Sequence, residues 1–307
     1  MATVFETKEL TVGYRELRLF ENLDLQLNSG ELICFMGPNG CGKSTLIRTL
    51  AGLQQPIAGI IPPKNEKQVS VVLTDRVQSQ HMTVRELIVY GRYPYLGWDL
   101  KLSAADRDII SVCIDLVRIG HLLDKKINEL SDGQMQMVMI ARALAQDTPV
   151  LLLDEPTAHL DLNNRLEIMN LLRRLAREKD KSILLATHEL DLALQTADMV
   201  WLANGNTIKK GAPEDLVLDG SFDKVFQFKG YDLKTGRVQH EVFRKKKVKL
   251  VGNDAVYLWT KNALERNGFE VATTGEHEIT IDANEWRWNG QHYRRLEDLL
   301  KEIISRS

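Results

Sequence analysis

The chain has 307 residues, with 40 basic against 42 acidic side chains and a formal net charge of −2. That balance excludes the strongly basic footprint of a nucleic-acid-binding protein, so no nucleic-acid partner is expected. Three widely spaced cysteines, Cys34, Cys41 and Cys113, form neither a CxxC pair nor a metal spacing, which argues against a disulfide framework and fits a reducing compartment. At 44% hydrophobic and 27% charged residues the composition is that of a globular protein, long enough for one large domain plus a smaller one. The opening Met1-Ala2-Thr3-Val4 has no basic region leading into an apolar one, so no secretory signal is expected. No apolar run is long enough to span a bilayer, and any membrane role is expected to come through a partner.

Residues 4–12 and 23–27 alternate apolar and polar side chains, the period of half-buried strands. Asn28-Ser29-Gly30 marks a turn, and residues 31–36 form a short apolar run typical of a buried strand. A glycine-rich loop follows, then a helix over 44–52. Residues 83–130 read differently: helical spacing dominates over 84–90 and 104–119, and Ser103 is placed to cap the second helix, with Asp106 and Asp108 in its first turn. This stretch reads as a helical insertion in an α/β core. Strands are then expected over 150–153 and 182–186, with helices over 165–179 and 191–197. Residues 199–202 and 207–210 form a hairpin around Asn204-Gly205.

After Gly230 the character changes to a small α+β appendage. Residues 248–251 are strand-like, Asp254 caps a helix to about Asn267, and Gly268 ends it. Strands are expected over 269–273 and 278–281, a hairpin around Asn289-Gly290, and a last helix over 296–304. Trp259, Trp286 and Trp288 read as packing residues. The run Arg244, Lys245, Lys246, Lys247 reads as a solvated linker or strand edge, with anionic headgroup contact as the sharper alternative.

The stretch Gly37-Pro38-Asn39-Gly40-Cys41-Gly42-Lys43-Ser44-Thr45 fits the phosphate-loop pattern G-x-x-x-x-G-K-[ST]. Its glycines let successive N–H groups point at phosphate oxygens, and the following helix offers its positive end to the same anion. Lys43 can reach the β- and γ-phosphates of ATP, and Ser44 can ligate Mg²⁺. Cys41 reads as a spectator, with a redox switch as the alternative. The apolar strand before Asp154 and Glu155 ends in two acids: Asp154 to help hold Mg²⁺, Glu155 to polarise an attacking water.

Leu130-Ser131-Asp132-Gly133-Gln134 resembles the LSGGQ signature of ABC ATPases, with Asp132 where glycine is most usual. By residue logic it is a second anion site, with Ser131 capping a helix that begins near Asp132 and Gly133 allowing close approach. The segment Ala158-His159-Leu160-Asp161 looks like that family's D-loop. His188, in Thr187-His188-Glu189, resembles its switch histidine, and Tyr14 lies where the family puts an aromatic that stacks on adenine.

The resemblance covers about residues 4–230. It implies a P-loop NTPase fold of the ABC ATPase type: a RecA-like core, an antiparallel β subdomain and a helical subdomain at about 83–147. The domains would then be 1–230, carrying ATP and Mg²⁺, and the appendage 231–307. It also implies a homodimer in which Ser131, Asp132, Gly133 and Gln134 of one chain reach the nucleotide of the other. The insertion's Tyr90-Gly91-Arg92-Tyr93-Pro94-Tyr95 and Leu102-Ser103-Ala104-Ala105-Asp106 look like the ATPases of bacterial importers for iron–siderophores, haem and cobalamin. This implies integral-membrane permease subunits, a periplasmic or surface substrate-binding protein acting indirectly, and a peripheral place on the cytoplasmic face of the cell membrane. Iron chelates are the first expected cargo, cobalamin or haem the second. A non-transport ABC ATPase would need sustained heptads or a second cassette, and neither is present. The family usually has a Gln after the strand near residues 69–73; here Thr74 stands there, followed by Asp75 and Arg76, with Gln78 and Gln80 later. Either a shifted Gln serves, or Thr74 or Asp75 replaces it.

Overall fold

The runs Leu32–Met36, Val150–Asp154 and Ser182–Ala186 are buried along their whole length. Strands with no solvent face belong inside a parallel sheet covered on both sides. In the computed structural model they lie in one six-stranded sheet, ordered Thr207–Gly211, Met199–Asn204, Leu32–Met36, Ser182–Ala186, Val150–Asp154, Val69–Val72. Neighbours run parallel except the edge hairpin of the first two. Phe35 and Asp154 both stand in register with Ala186, so three strands end at one edge. Ligands of such sheets bind outside the carboxyl ends.

The structure describes residues 2–63, 65–74, 79–158, 160–228, 230–233, 236–238, 240–244, 246–275, 277–282 and 285–306. They fall into two compact units, Met1–Gln227 and Phe228–Ser307.

In the first unit an antiparallel sheet joins Leu17–Leu23, Lys8–Tyr14 and Ala58–Ile60, and Thr3–Glu6 pairs with Gln26–Asn28. The single strand expected over 4–12 is broken at Thr7. Its hydroxyl donates to the Leu23 carbonyl at 3.1 Å and accepts from the Leu25 amide at 3.0 Å. The strand expected over 23–27 is likewise divided, since Leu23 closes one strand and Gln26 opens the next. No clean alternation marks Leu17–Leu23, and Ala58–Ile60 is wholly exposed.

The insertion packs Val84–Val89, Ala104–Val117 and Asp132–Ala145 together. Its two motifs meet in space. Arg92, 4% exposed, donates from Nε to Asp106 Oδ1 at 2.8 Å and from Nη1 to the Ala145 carbonyl at 2.9 Å. Its guanidinium lies 3.9 Å from the centre of the Tyr95 ring. Ser103 caps the second helix in a mutual pair with Asp106. The helix expected from 165 starts three residues earlier and spans Leu162–Lys179, because Asp161 caps it.

In the second unit the sheet order is Glu270–Ala272, Lys247–Val251, His277–Asp282, Glu285–Trp288, Gln291–Tyr293. The first three strands are parallel, with Asp254–Arg266 as the crossover between Lys247–Val251 and Glu270–Ala272. Val248, Leu264, Phe269, Ile279, Trp288 and Leu299 form its core. The cap of the crossover helix is Asn253, with no side-chain bond. Asp254 is the first helical residue, at φ +64°, so the capping role expected of it does not hold. Trp288 is buried and Trp286 donates to Thr260 Oγ1 at 2.8 Å, whereas Trp259 is exposed. In the basic run Arg244 donates to the Asn267 carbonyl at 2.8 Å and Lys247 pairs with Glu270 at 3.0 Å; Lys245 lies outside the described residues.

Candidate active site

The loop after Met36 needs glycine at Gly42, which caps the helix Lys43–Leu50 at φ +108°; a Cβ there would also meet Leu19 at 3.0 Å. Lys43 is 5% exposed, and its ammonium donates to the carbonyls of Gly37 at 3.0 Å and Pro38 at 3.2 Å. Among the described residues it has no carboxylate partner. A buried cation held only by carbonyl dipoles, at a helix N-terminus, fits a polyphosphate.

Ser44 Oγ donates to Asp154 Oδ1 at 2.9 Å. Thr74 Oγ1 lies 3.3 Å from Asp154 Oδ2 and 3.2 Å from its main-chain oxygen. Burial pushes the Asp154 carboxyl above its usual range; the Ser44 hydroxyl pulls it down, and the charge of Glu155 pushes it up again. A divalent cation would offset that burial, and this set of hard oxygens suits Mg²⁺. Asp75, Arg76 and Gln78 lie outside the described residues, and Gln80 is exposed.

Glu155 sits at φ +48° with its amide bonded to the Ala186 carbonyl at 3.0 Å, a strained turn at the strand end. His188 Nδ1 is 3.8 Å from Glu155 Oε2, and Nε2 is 3.7 Å from Glu189 Oε1. Arg165 holds Glu189 at 2.8 Å. Glu155 and His188 face a cleft of about 600 Å³ that also takes in Asn39, Gly40, Gly42–Thr45 and Tyr14. Tyr14, half exposed, shares a hydrogen bond with Thr45 Oγ1 at 3.1 Å. Leu17 and Leu19 add an apolar wall that sequence reading missed, since the strand carrying them has no clear period. Burial pushes the Cys41 thiol up, against the pull of Lys43, so the loop cysteine is not an activated thiolate.

Ser131, Asp132, Gly133, Gln134 and Asp161 do not line this cleft. Ser131 accepts from the Gln134 amide and Gln134 Oε1 accepts from the Ser131 amide, each at 3.2 Å, leaving an exposed helix start at Asp132–Ala145. Asp161 caps the next helix through the Asn164 amide at 2.9 Å. His159 lies outside the described residues.

A buried phosphate-loop lysine followed by a serine on the strand-end Asp of an Asp–Glu pair defines a P-loop nucleoside triphosphatase. Residues 20–158 match the family described as ABC transporter, and residues 245–304 match the Iron ABC transporter C-terminal domain. An ABC transporter ATP-binding protein of Methanocaldococcus jannaschii is 38% identical over 238 residues, 74% of this chain and 82% of the relative. The iron(3+)-hydroxamate import ATP-binding protein of Bacillus subtilis is 34% identical over 233 residues, 72% of this chain and 87% of the relative. A solved ABC transporter assigned to the metal-chelate type, inward-facing, superposes with a TM-score of 0.68 at 28% identity, covering 74% of this chain and 90% of that one. The chain belongs to the family of ATP-binding subunits of ABC transporters. Its nucleotide is ATP, and its reaction class is ATP hydrolysis.

Proposed function

We propose that this subunit hydrolyses MgATP to drive import of an iron chelate through a membrane permease. It works as a homodimer, bound peripherally at the cytoplasmic face of the membrane, and its cargo arrives from a periplasmic or surface substrate-binding protein. The observation that carries the chemistry is the meeting of Ser44 with Asp154 at 2.9 Å beside the buried Lys43. Lys43 and the loop amides grip the β- and γ-phosphates, and Ser44 and Asp154 hold Mg²⁺. The bound cation supplies Lewis-acid neutralisation of developing phosphate charge. Glu155 accepts a proton from the attacking water, and His188, steadied by Glu189, orients toward the γ-phosphate. Tyr14 gives adenine a stacking face. Ser131, Asp132, Gly133 and Gln134 act on the partner's nucleotide, consistent with their place away from their own cleft.

The match of residues 245–304 supports iron as cargo. Among the described residues no helix is long and apolar enough to cross a membrane. A groove of about 580 Å³ along residues 79–100, lined by Met82, Val89, Tyr90, Tyr93, Leu96 and Leu100, supplies an apolar seat for the permease.

Glu155→Gln tests the chemistry: hydrolysis should fall at least 100-fold while an ATP-bound dimer accumulates on gel filtration. Unchanged phosphate release would remove Glu155 from its role. For cargo, Lys43→Ala cells should lose uptake of labelled ferric chelate and keep uptake of cobalamin and haem. The opposite pattern would overturn the iron reading.

A further inference from the structure

The resemblance implies a glutamine where this chain has Thr74, and the geometry at Asp154 gives the threonine a purpose. Asp154 is 2% exposed and each of its carboxylate oxygens has a hydroxyl within reach: Ser44 at Oδ1, 2.9 Å, and Thr74 at Oδ2, 3.3 Å, the Thr74 hydroxyl being shared with the Asp154 main-chain oxygen at 3.2 Å. The two hydroxyls come from different elements. Ser44 rides on the phosphate-loop helix, whereas Thr74 follows Val69–Val72, whose register against Val150–Asp154 pairs Val72 with Leu153. That register carries Thr74 to the end of Asp154's strand. The short side chain therefore meets the carboxylate without reaching, and its branched Cβ restricts it to few rotamers.

We infer that Thr74 is a positioning residue for the metal: its hydroxyl holds the Asp154 carboxylate in place when the Ser44 oxygen turns to the cation. This rests on the MgATP reading above. A carboxylate anchored by Ser44 alone would be free to rotate once that oxygen took a metal ligand's role. The second anchor removes that freedom, and outer partners of this kind typically change metal affinity by about 10–100-fold.

The test is Mn²⁺ binding, followed by electron paramagnetic resonance, to the full chain loaded with a non-hydrolysable ATP analogue. Thr74→Val keeps the shape and deletes the hydroxyl, and should weaken Mn²⁺ binding about 10-fold or more. Thr74→Ser restores the hydroxyl and should stay within about twofold of wild type. Analogue affinity in EDTA should be the same in all three. Should Thr74→Val fail to fold, Thr74→Ala carries the same expectation. Wild-type Mn²⁺ affinity in Thr74→Val, or equal loss in Thr74→Ser, overturns the inference. Ser44→Ala separates the two readings: if it too binds Mn²⁺ like wild type, the metal site itself is misplaced. If it alone loses the metal, only the role of Thr74 falls.

Discussion

Asn164 is pressed against Gly133: a Cβ on Gly133 would stand 3.0 Å from Asn164 Nδ2 and 3.1 Å from its Cγ. Asn164 cannot move aside freely, because its amide and its side chain both donate to the Asp161 carboxylate at 2.9 Å. The signature segment and the helix that follows the Asp154–Glu155 strand thus share one contact, and shifting either disturbs the other.

Gly133→Ala should accordingly destabilise the first unit by about 1–3 kcal/mol, the usual effect of overpacking. Asn164→Ala opens the space, so the double variant should recover about 1 kcal/mol relative to the sum of the singles. Urea unfolding of the four proteins measures this, and additive values would show that the two residues do not touch.

The Arg92–Asp106 pair is buried on both sides, with side chains 5% and 10% exposed. The Ser103 hydroxyl and amide, followed by Arg92, hold the Asp106 carboxyl below its usual range. Arg92→Met would leave that carboxylate buried without its cation, a loss of about 3–5 kcal/mol. The Tm should fall by roughly 6–20 °C for a unit of this size, and a drop of a degree or less would show that the pair is dispensable. Because the carboxyl is held low, its stabilisation is full above the unfolded carboxylate range and fades as pH falls below it. Acid should therefore narrow the gap between wild type and variant.

Asp154 has the opposite sign. Burial raises its pKa above the ordinary 3.8, so the folded chain binds this proton more tightly than the unfolded chain does. Stability from this group is present below the unfolded value and is lost as pH rises through the folded one. Asp154→Asn should then melt higher than wild type in EDTA at pH 7.5, with the difference shrinking toward pH 4. The same variant should lose the Tm rise that MgATP gives wild type. A variant that melts lower at pH 7.5 would contradict the assignment of burial as the dominant cause.

Leu264 is fully buried in the second unit, among Val248, Phe269 and Trp288. Leu264→Ala should cost that unit about 2–5 kcal/mol. Calorimetry should show its transition moving to lower temperature while ATP affinity in the first unit stays unchanged. A matching loss of ATP affinity would show that the two units do not unfold independently.

The local features of this protein were legible in the chain. The glycine pattern over 37–45, the buried runs at Leu32–Met36, Val150–Asp154 and Ser182–Ala186, and the caps at Ser103 and Ser131 all involve neighbours within a few residues. Such features are set by backbone sterics, hydrogen-bonding reach and hydrophobic period, so sequence alone determines them. Tertiary structure alone decided what lies across long gaps. It paired Arg92 with Asp106 and Ala145, stood Thr74 on the far oxygen of Asp154, put Asn164 against Gly133, and laid Leu17 and Leu19 along the cleft. None of these has a periodic signal, because each depends on sheet register and helix packing that bring together residues 14 to 80 positions apart. The Asp254 cap failed for the same kind of reason: the left-handed turn there makes Asn253 the cap, a detail of backbone path that residue preference does not carry.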